Sequence, residues 1–164
     1  MKEKHLLKRL PALIGALVLA AGLFAGCSGR GGGKEVSVDL GQAAGDILKA
    51  GGYTEELIEL DEGALPASYP KLEMDKVEKY TCRVSGSMAT PEEISIFVAK
   101  TEDDVASIRA AVDRRVEDQT FNFKDYRPEE MPKLENAVIL ERGRYVFYAA
   151  CANPDDVRKV IEGF

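Results

Sequence analysis

The stretch Ile94-Ser95-Ile96-Phe97-Val98-Ala99-Lys100-Thr101-Glu102-Asp103-Asp104-Val105-Ala106-Ser107-Ile108 decides the fold of this chain. Its first half alternates: Ile94, Ile96 and Val98 against Ser95, Phe97 and Ala99, the period of a strand. Its second half changes period. Thr101-Glu102-Asp103-Asp104 is a capping box, and behind it Val105, Ile108, Val112 and Val116 fall on one face of a helix that runs to about Gln119.

Working outward, each flank repeats the pattern. Before the stretch, Tyr80, Cys82 and Val84 alternate with Thr81, Arg83 and Ser85, and Gly86 to Pro91 supplies a hairpin connection. After it, Asp125 to Pro132 reads as a loop with Pro128 and Pro132. Ala137 to Glu141 and Tyr145 to Cys151 then form a second strand pair joined at Arg142-Gly143. Asn153-Pro154-Asp155-Asp156 starts a final helix, with Asn as cap, Pro in the first turn and acids at the dipole. Upstream, Gln42 to Ala50 reads as a helix stopped by Gly51-Gly52, and Thr54 as the cap of a further turn reaching Leu60. Glu62 to Pro70 is a loop, and Met74 to Lys79 one more helical turn. The order α-β-β-α-β-β-α predicts an α+β domain, a four-stranded, mostly antiparallel sheet with helices packed on it.

The N-terminus has a different character. Lys2, Lys4, Lys8 and Arg9 precede an apolar run from Leu10 to Leu23, and Leu23-Phe24-Ala25-Gly26-Cys27 closes it. The run is short for a membrane span, which needs about 20 residues, and Pro11, Gly15 and Gly22 weaken it further. It reads as a lipoprotein signal peptide over residues 1–26, with Cys27 as the lipidated residue. Residues 27–35, including Arg30-Gly31-Gly32-Gly33-Lys34, form a flexible tether. The spacing of a phosphate-binding loop is absent there. A single domain fills residues 36–164. The expected location is the extracytoplasmic face of a cell membrane, reached through the N-terminal lipid.

Cleavage also alters the charge. The signal holds 4 of the 22 basic residues and 1 of the 28 acidic ones, leaving 18 − 27 = −9. That surface repels nucleic acid, so no nucleic-acid partner is expected. The only histidine, His5, leaves with the signal, which removes Ser-His-Asp and Cys-His catalysis and all histidine metal sites from the mature chain. No cofactor motif is present in the sequence, and no metal or catalytic site is expected.

Several features together resemble a known family. They are Tyr69 before the first strand, Glu93-Ile94-x-Ile96-Phe97, Arg115-x-x-x-Gln119, Tyr126-x-Pro128-Glu129 and Gly143-x-Tyr145-Val146. In that order and spacing, across most of residues 43–164, they are similar to the bacterial lipoproteins grouped as domain of unknown function 4358, found mainly in Gram-positive bacteria. The resemblance implies a lipoprotein location and brings no activity or cofactor with it. Cys82 and Cys151 are not part of its pattern.

Three constellations have competing readings. Cys82 and Cys151, 151 − 82 = 69 positions apart, either form a disulfide or sit as buried thiols; a bridge closing that loop contributes roughly 4 kcal/mol in the chain-entropy model. Gln119 falls inside the apolar stripe of the long helix and Arg115 on its flank, and inward polar groups need partners. One reading is architectural, with Gln119 bonded to backbone at the helix end and Arg115 paired with Glu93 or Glu141. The other gathers Arg115, Gln119, Tyr126 and Tyr145 around a small anionic or polar ligand. The acidic pairs Asp61-Glu62, Asp103-Asp104, Glu129-Glu130 and Asp155-Asp156 are explained most simply by helix starts, which two of them occupy. By subtraction the expected function is a non-enzymatic binding or accessory module that contacts an envelope protein or a small ligand. The alternatives are a cell-envelope enzyme using carboxylate or tyrosine chemistry, and a scaffold lipoprotein.

Overall fold

Two strands carry no exposed residue: β3 (Glu93–Ala99) and β5 (Tyr145–Ala150). Burial on both faces requires helices above and below, and the computed structural model, which describes residues 37–164, shows that arrangement. The predicted signal, Cys27 and the tether lie outside the described residues.

The chain forms α1 (Leu40–Gly51), β1 (Leu57–Glu59), α2 (Leu65–Ser68), β2 (Val77–Ser85), β3, α3 (Val105–Tyr126), α4 (Met131–Glu135), β4 (Val138–Arg142), β5 and α5 (Pro154–Glu162). All strand pairs are antiparallel, in the order β1-β2-β3-β5-β4. β5 therefore inserts between β3 and β4, beside the strand that precedes the long crossover through α3. The fold is α+β with a single antiparallel sheet, but that sheet has five strands rather than four.

The added strand replaces the turn predicted from Thr54 to Leu60. Thr54 does not cap a helix. Its backbone N–H and hydroxyl, with the N–H of Glu55, bind the buried carboxylate of Glu92. The chain thereby leaves Glu92 extended and pairs Leu57–Glu59 with Arg83–Ser85 of β2. Three residues are too few to show alternation against acidic neighbours.

Elsewhere the local readings hold with shifted ends. The first helix starts at Leu40 rather than Gln42, because Asp39 caps it by accepting from the Gln42 N–H at 2.8 Å, and Gly52 ends it at φ 64°, a conformation costly for any side chain. The capping box at Thr101 and Asp104 is formed, opening a 3-10 turn that leads into α3. Asn153 departs from its predicted role: it makes no side-chain cap, and its N–H donates to Gly51 O at 2.9 Å, tying the start of α5 to the end of α1.

The two faces of the sheet support separate clusters. Ile94, Ile96, Val98, Phe147, Ala149 and Val138 face α1 and α5, meeting Ala44, Ile47, Val157 and Ile161. Cys82, Phe97, Val146 and Tyr148 face α3, meeting Ile108, Val112 and Phe123, with Tyr69 and Leu134 closing the edges.

Candidate functional site

α3 spans 22 residues, a length of about 33 Å, and its contact with the sheet is uneven. Val105, Ile108, Ala111 and Val112 are buried in its first half; beyond Val112 only Phe123 is. The second half overhangs the β1–β2 side and leaves a cavity of about 560 Å³. Ile58, Leu60 and Val84 form its sheet wall, and Arg115, Gln119, Phe123 and Tyr126 its helix wall. Gly86, Met88 and Thr90, from the turn between β2 and β3, edge it.

Arg115 is pinned at the inner end. Its Nε and Nη2 each lie 2.9 Å from Oε2 of Glu93, whose side chain is 1 % exposed against 15 % for the arginine. The other carboxylate oxygen accepts from the Tyr69 hydroxyl at 2.5 Å and the Ser95 hydroxyl at 2.8 Å. Cys82 Sγ lies 2.9 Å from Ser95 Oγ. The guanidinium carbon stands 5.7 Å from the Tyr69 ring centroid, in cation–π range.

Protonation follows from these contacts. Burial, then the charge of Glu93, pushes the Tyr69 phenol well up, so it stays a donor. Burial and Glu93 also push up the Cys82 thiol, which makes it a poor nucleophile. Burial alone pulls the Arg115 pKa down, but Glu93 more than reverses this and the cation is held. The Tyr148 hydroxyl is buried beside this network and makes no hydrogen bond among the described residues; burial pushes it well up.

A second buried carboxylate stands next to the first. Glu92 accepts from Thr54 and Glu55 and from Lys133 Nζ of α4 at 2.8 Å. Lys133 also reaches Glu130 at 2.8 Å and Thr90 at 3.1 Å, and Thr90 donates to Glu130 at 2.5 Å. Glu55 Oε2 accepts from Ser85 at 2.6 Å and Ser87 at 2.5 Å, and these hydrogen bonds hold its pKa below the usual carboxylate value. The β2–β3 turn is thus fastened at both ends. Between the fastenings Met88 sits at φ 57°, in the left-handed region that favours glycine, and is 79 % exposed.

Three of the four residues predicted to cluster come together. Arg115, Gln119 and Tyr126 line one cavity. Tyr145 does not join them: it lies on the opposite face of the sheet, where its hydroxyl accepts from the Val38 N–H at 3.1 Å. Its side chain alternates away from α3 because its neighbour Val146 takes the inward place. Arg115 does pair with Glu93, while Glu141 meets Arg109 at 3.4 Å. Gln119 makes no bond at a helix end, since α3 continues to Tyr126; its side chain makes no hydrogen bond among the described residues. Cys82 and Cys151 are buried free thiols in different clusters on opposite faces of the sheet, so of the two readings the buried thiols hold and the disulfide is not formed.

Glu55, Ser85, Ser87, Thr90, Glu92 and Lys133 were not singled out from sequence. The available signal was Glu92-Glu93 directly before an apolar strand, where carboxylates need partners. No group of three or more His, Cys, Asp and Glu side chains converges as metal ligands would among the described residues.

No curated protein and no solved structure matches this chain. A family described as Domain of unknown function (DUF4358) matches residues 50–151. The match runs from the end of α1 to the end of β5 and contains every residue lining the cavity. Covering more than half of the sequence, it places this chain in the DUF4358 family.

Proposed function

We propose that this chain is a lipid-anchored protein of the extracytoplasmic membrane face whose domain binds a small ligand without transforming it. The anchoring part rests on the basic start, the apolar run and Cys27 after Leu23-Phe24-Ala25-Gly26. The binding part rests on one observation: a cavity of about 560 Å³, within the range of small-molecule sites, with apolar walls and one pinned guanidinium. A non-enzymatic role agrees with the state of the two buried carboxylates. Glu92 and Glu93 each hold a cation and further donors, so neither is poised as a general acid or base. Tyr126 stands at the rim with no described hydrogen-bond partner to activate it.

Metabolic labelling with palmitate tests the anchor. Label should appear in the membrane fraction, and Cys27→Ser should abolish it and change the protein's fractionation; persistent labelling of Cys27→Ser would refute lipidation at this residue. Amide chemical shifts during a fragment screen test the cavity. Perturbations should concentrate on Val84, Gln119 and Phe123, and hits scattered over both faces of the sheet would refute the site.

A further inference from the structure

We propose that the ligand is an amphipathic organic anion: an apolar or aromatic body carrying one carboxylate, with the carboxylate on Arg115 and the body against the sheet wall. This rests on the reading of the cavity as a ligand site. Among the described residues lining the cavity, Arg115 alone carries a formal charge, in a sequence with more acidic than basic residues.

The geometry leaves that cation available. Nε and Nη2 both address one oxygen of Glu93, and Nη1 makes no hydrogen bond with a described residue. The Tyr69 and Ser95 hydroxyls occupy the other oxygen of Glu93, so that carboxylate has no bond to Nη1, and the Nη1 donors are left for a ligand. Glu93 and the Tyr69 ring hold Arg115 in place, so a ligand need not order it. One turn along α3, the amide of Gln119 faces the same space as a second donor.

Other occupants fit less well. A neutral apolar ligand would bury the Nη1 donor without a partner, and that costs affinity. A small inorganic anion would leave Ile58, Leu60, Val84 and Phe123 wet. A cation would meet Arg115. An anion with an apolar body satisfies both halves of the lining and also covers the exposed Met88 and Tyr126 side chains at the rim.

The test is calorimetric titration of the full chain in lipid nanodiscs, with empty nanodiscs as blank, using 1-naphthylacetate and its neutral amide 1-naphthylacetamide as probes. The expected result is one-to-one binding with the carboxylate preferred about tenfold or more, the size of one charge-assisted hydrogen bond. Tyr126→Ala should weaken both probes. Gln119→Leu, which leaves the Arg115–Glu93 pair intact, should reduce the preference at least threefold, and Arg115→Lys should nearly abolish it if circular dichroism shows the fold kept. Should Arg115→Lys fail to fold, Gln119→Leu decides. Equal affinity for the two probes, lost in Tyr126→Ala, would overturn the anion proposal while upholding the cavity. No binding of either probe would overturn the cavity reading and this proposal with it.

Discussion

The two faces of the sheet are built on opposite principles. Toward α1 and α5 every inward side chain of β3 is aliphatic, and Phe147 stacks between Tyr145 and Phe164 with centroids 6.0 and 5.8 Å away. Toward α3 the same strand presents Glu93, Ser95 and Phe97, and the polar pair is fully buried. The first face gains stability from apolar burial and dispersion. The second exchanges part of that gain for hydrogen-bonded charge, which seldom stabilises more than a packed apolar equivalent. Under the proposed binding role, that exchange serves to hold one guanidinium at the end of the cavity, whereas the core of the α1/α5 face is built from apolar side chains.

The largest effect should come from breaking the charged network. Arg115→Ala leaves Glu93 buried without its cation and should cost about 3–5 kcal/mol in urea unfolding. Adding Glu93→Gln to that variant should recover part of the loss, because the stranded charge is removed. A double variant as unstable as the sum of the singles would show that the two groups do not act as a pair.

A smaller effect, of opposite sign, tests the cost of polarity on this face. Tyr148→Phe removes a buried hydroxyl that has no described partner and should stabilise the protein by about 1 kcal/mol. Destabilisation by a similar amount would mean that the hydroxyl is satisfied, for instance by a buried water.

The smallest effect uses the one cysteine on each face. Burial pushes the Cys151 thiol up to about 11, and burial with the Glu93 charge pushes Cys82 up strongly. Folding therefore favours the protonated thiols. Their stabilising contribution is present below the unfolded thiol pKa of about 8.5 and is lost as pH rises through the folded values. Alkylation by iodoacetamide should be slow for both at pH 8 and should reach Cys151 first as pH is raised toward 11. Earlier modification of Cys82 would invert the comparison.

Much of this was legible along the chain. The period change between Val98 and Val105 located a strand and the long helix, because both patterns are local and strong. Arg115 and Gln119 stood out because helical geometry alone puts them beside an apolar stripe. Tyr145 was misplaced because a strand's period of two fixes alternation but not which face turns toward which helix. β1 was missed because what makes it extended lies far away in sequence: it pairs with Arg83–Ser85 of β2, and the Thr54 just before it is held by Glu92. The length of α3 beyond Gln119 was missed because Phe123 and Tyr126 serve a cavity wall rather than a continuous stripe.

By itself, then, the sequence determined the local periods, the capping box at Thr101 and Asp104, and the acidic and histidine-poor character of the domain. Only the tertiary structure decided that five strands pair in the order β1-β2-β3-β5-β4, that the two thiols lie on opposite sides, and that α3 overhangs the sheet to enclose a cavity. Periodicity and capping depend on neighbours a few residues apart, which the chain order supplies directly. Strand order, facing and empty space depend on contacts between distant segments, and those exist only once both sides of the sheet are packed.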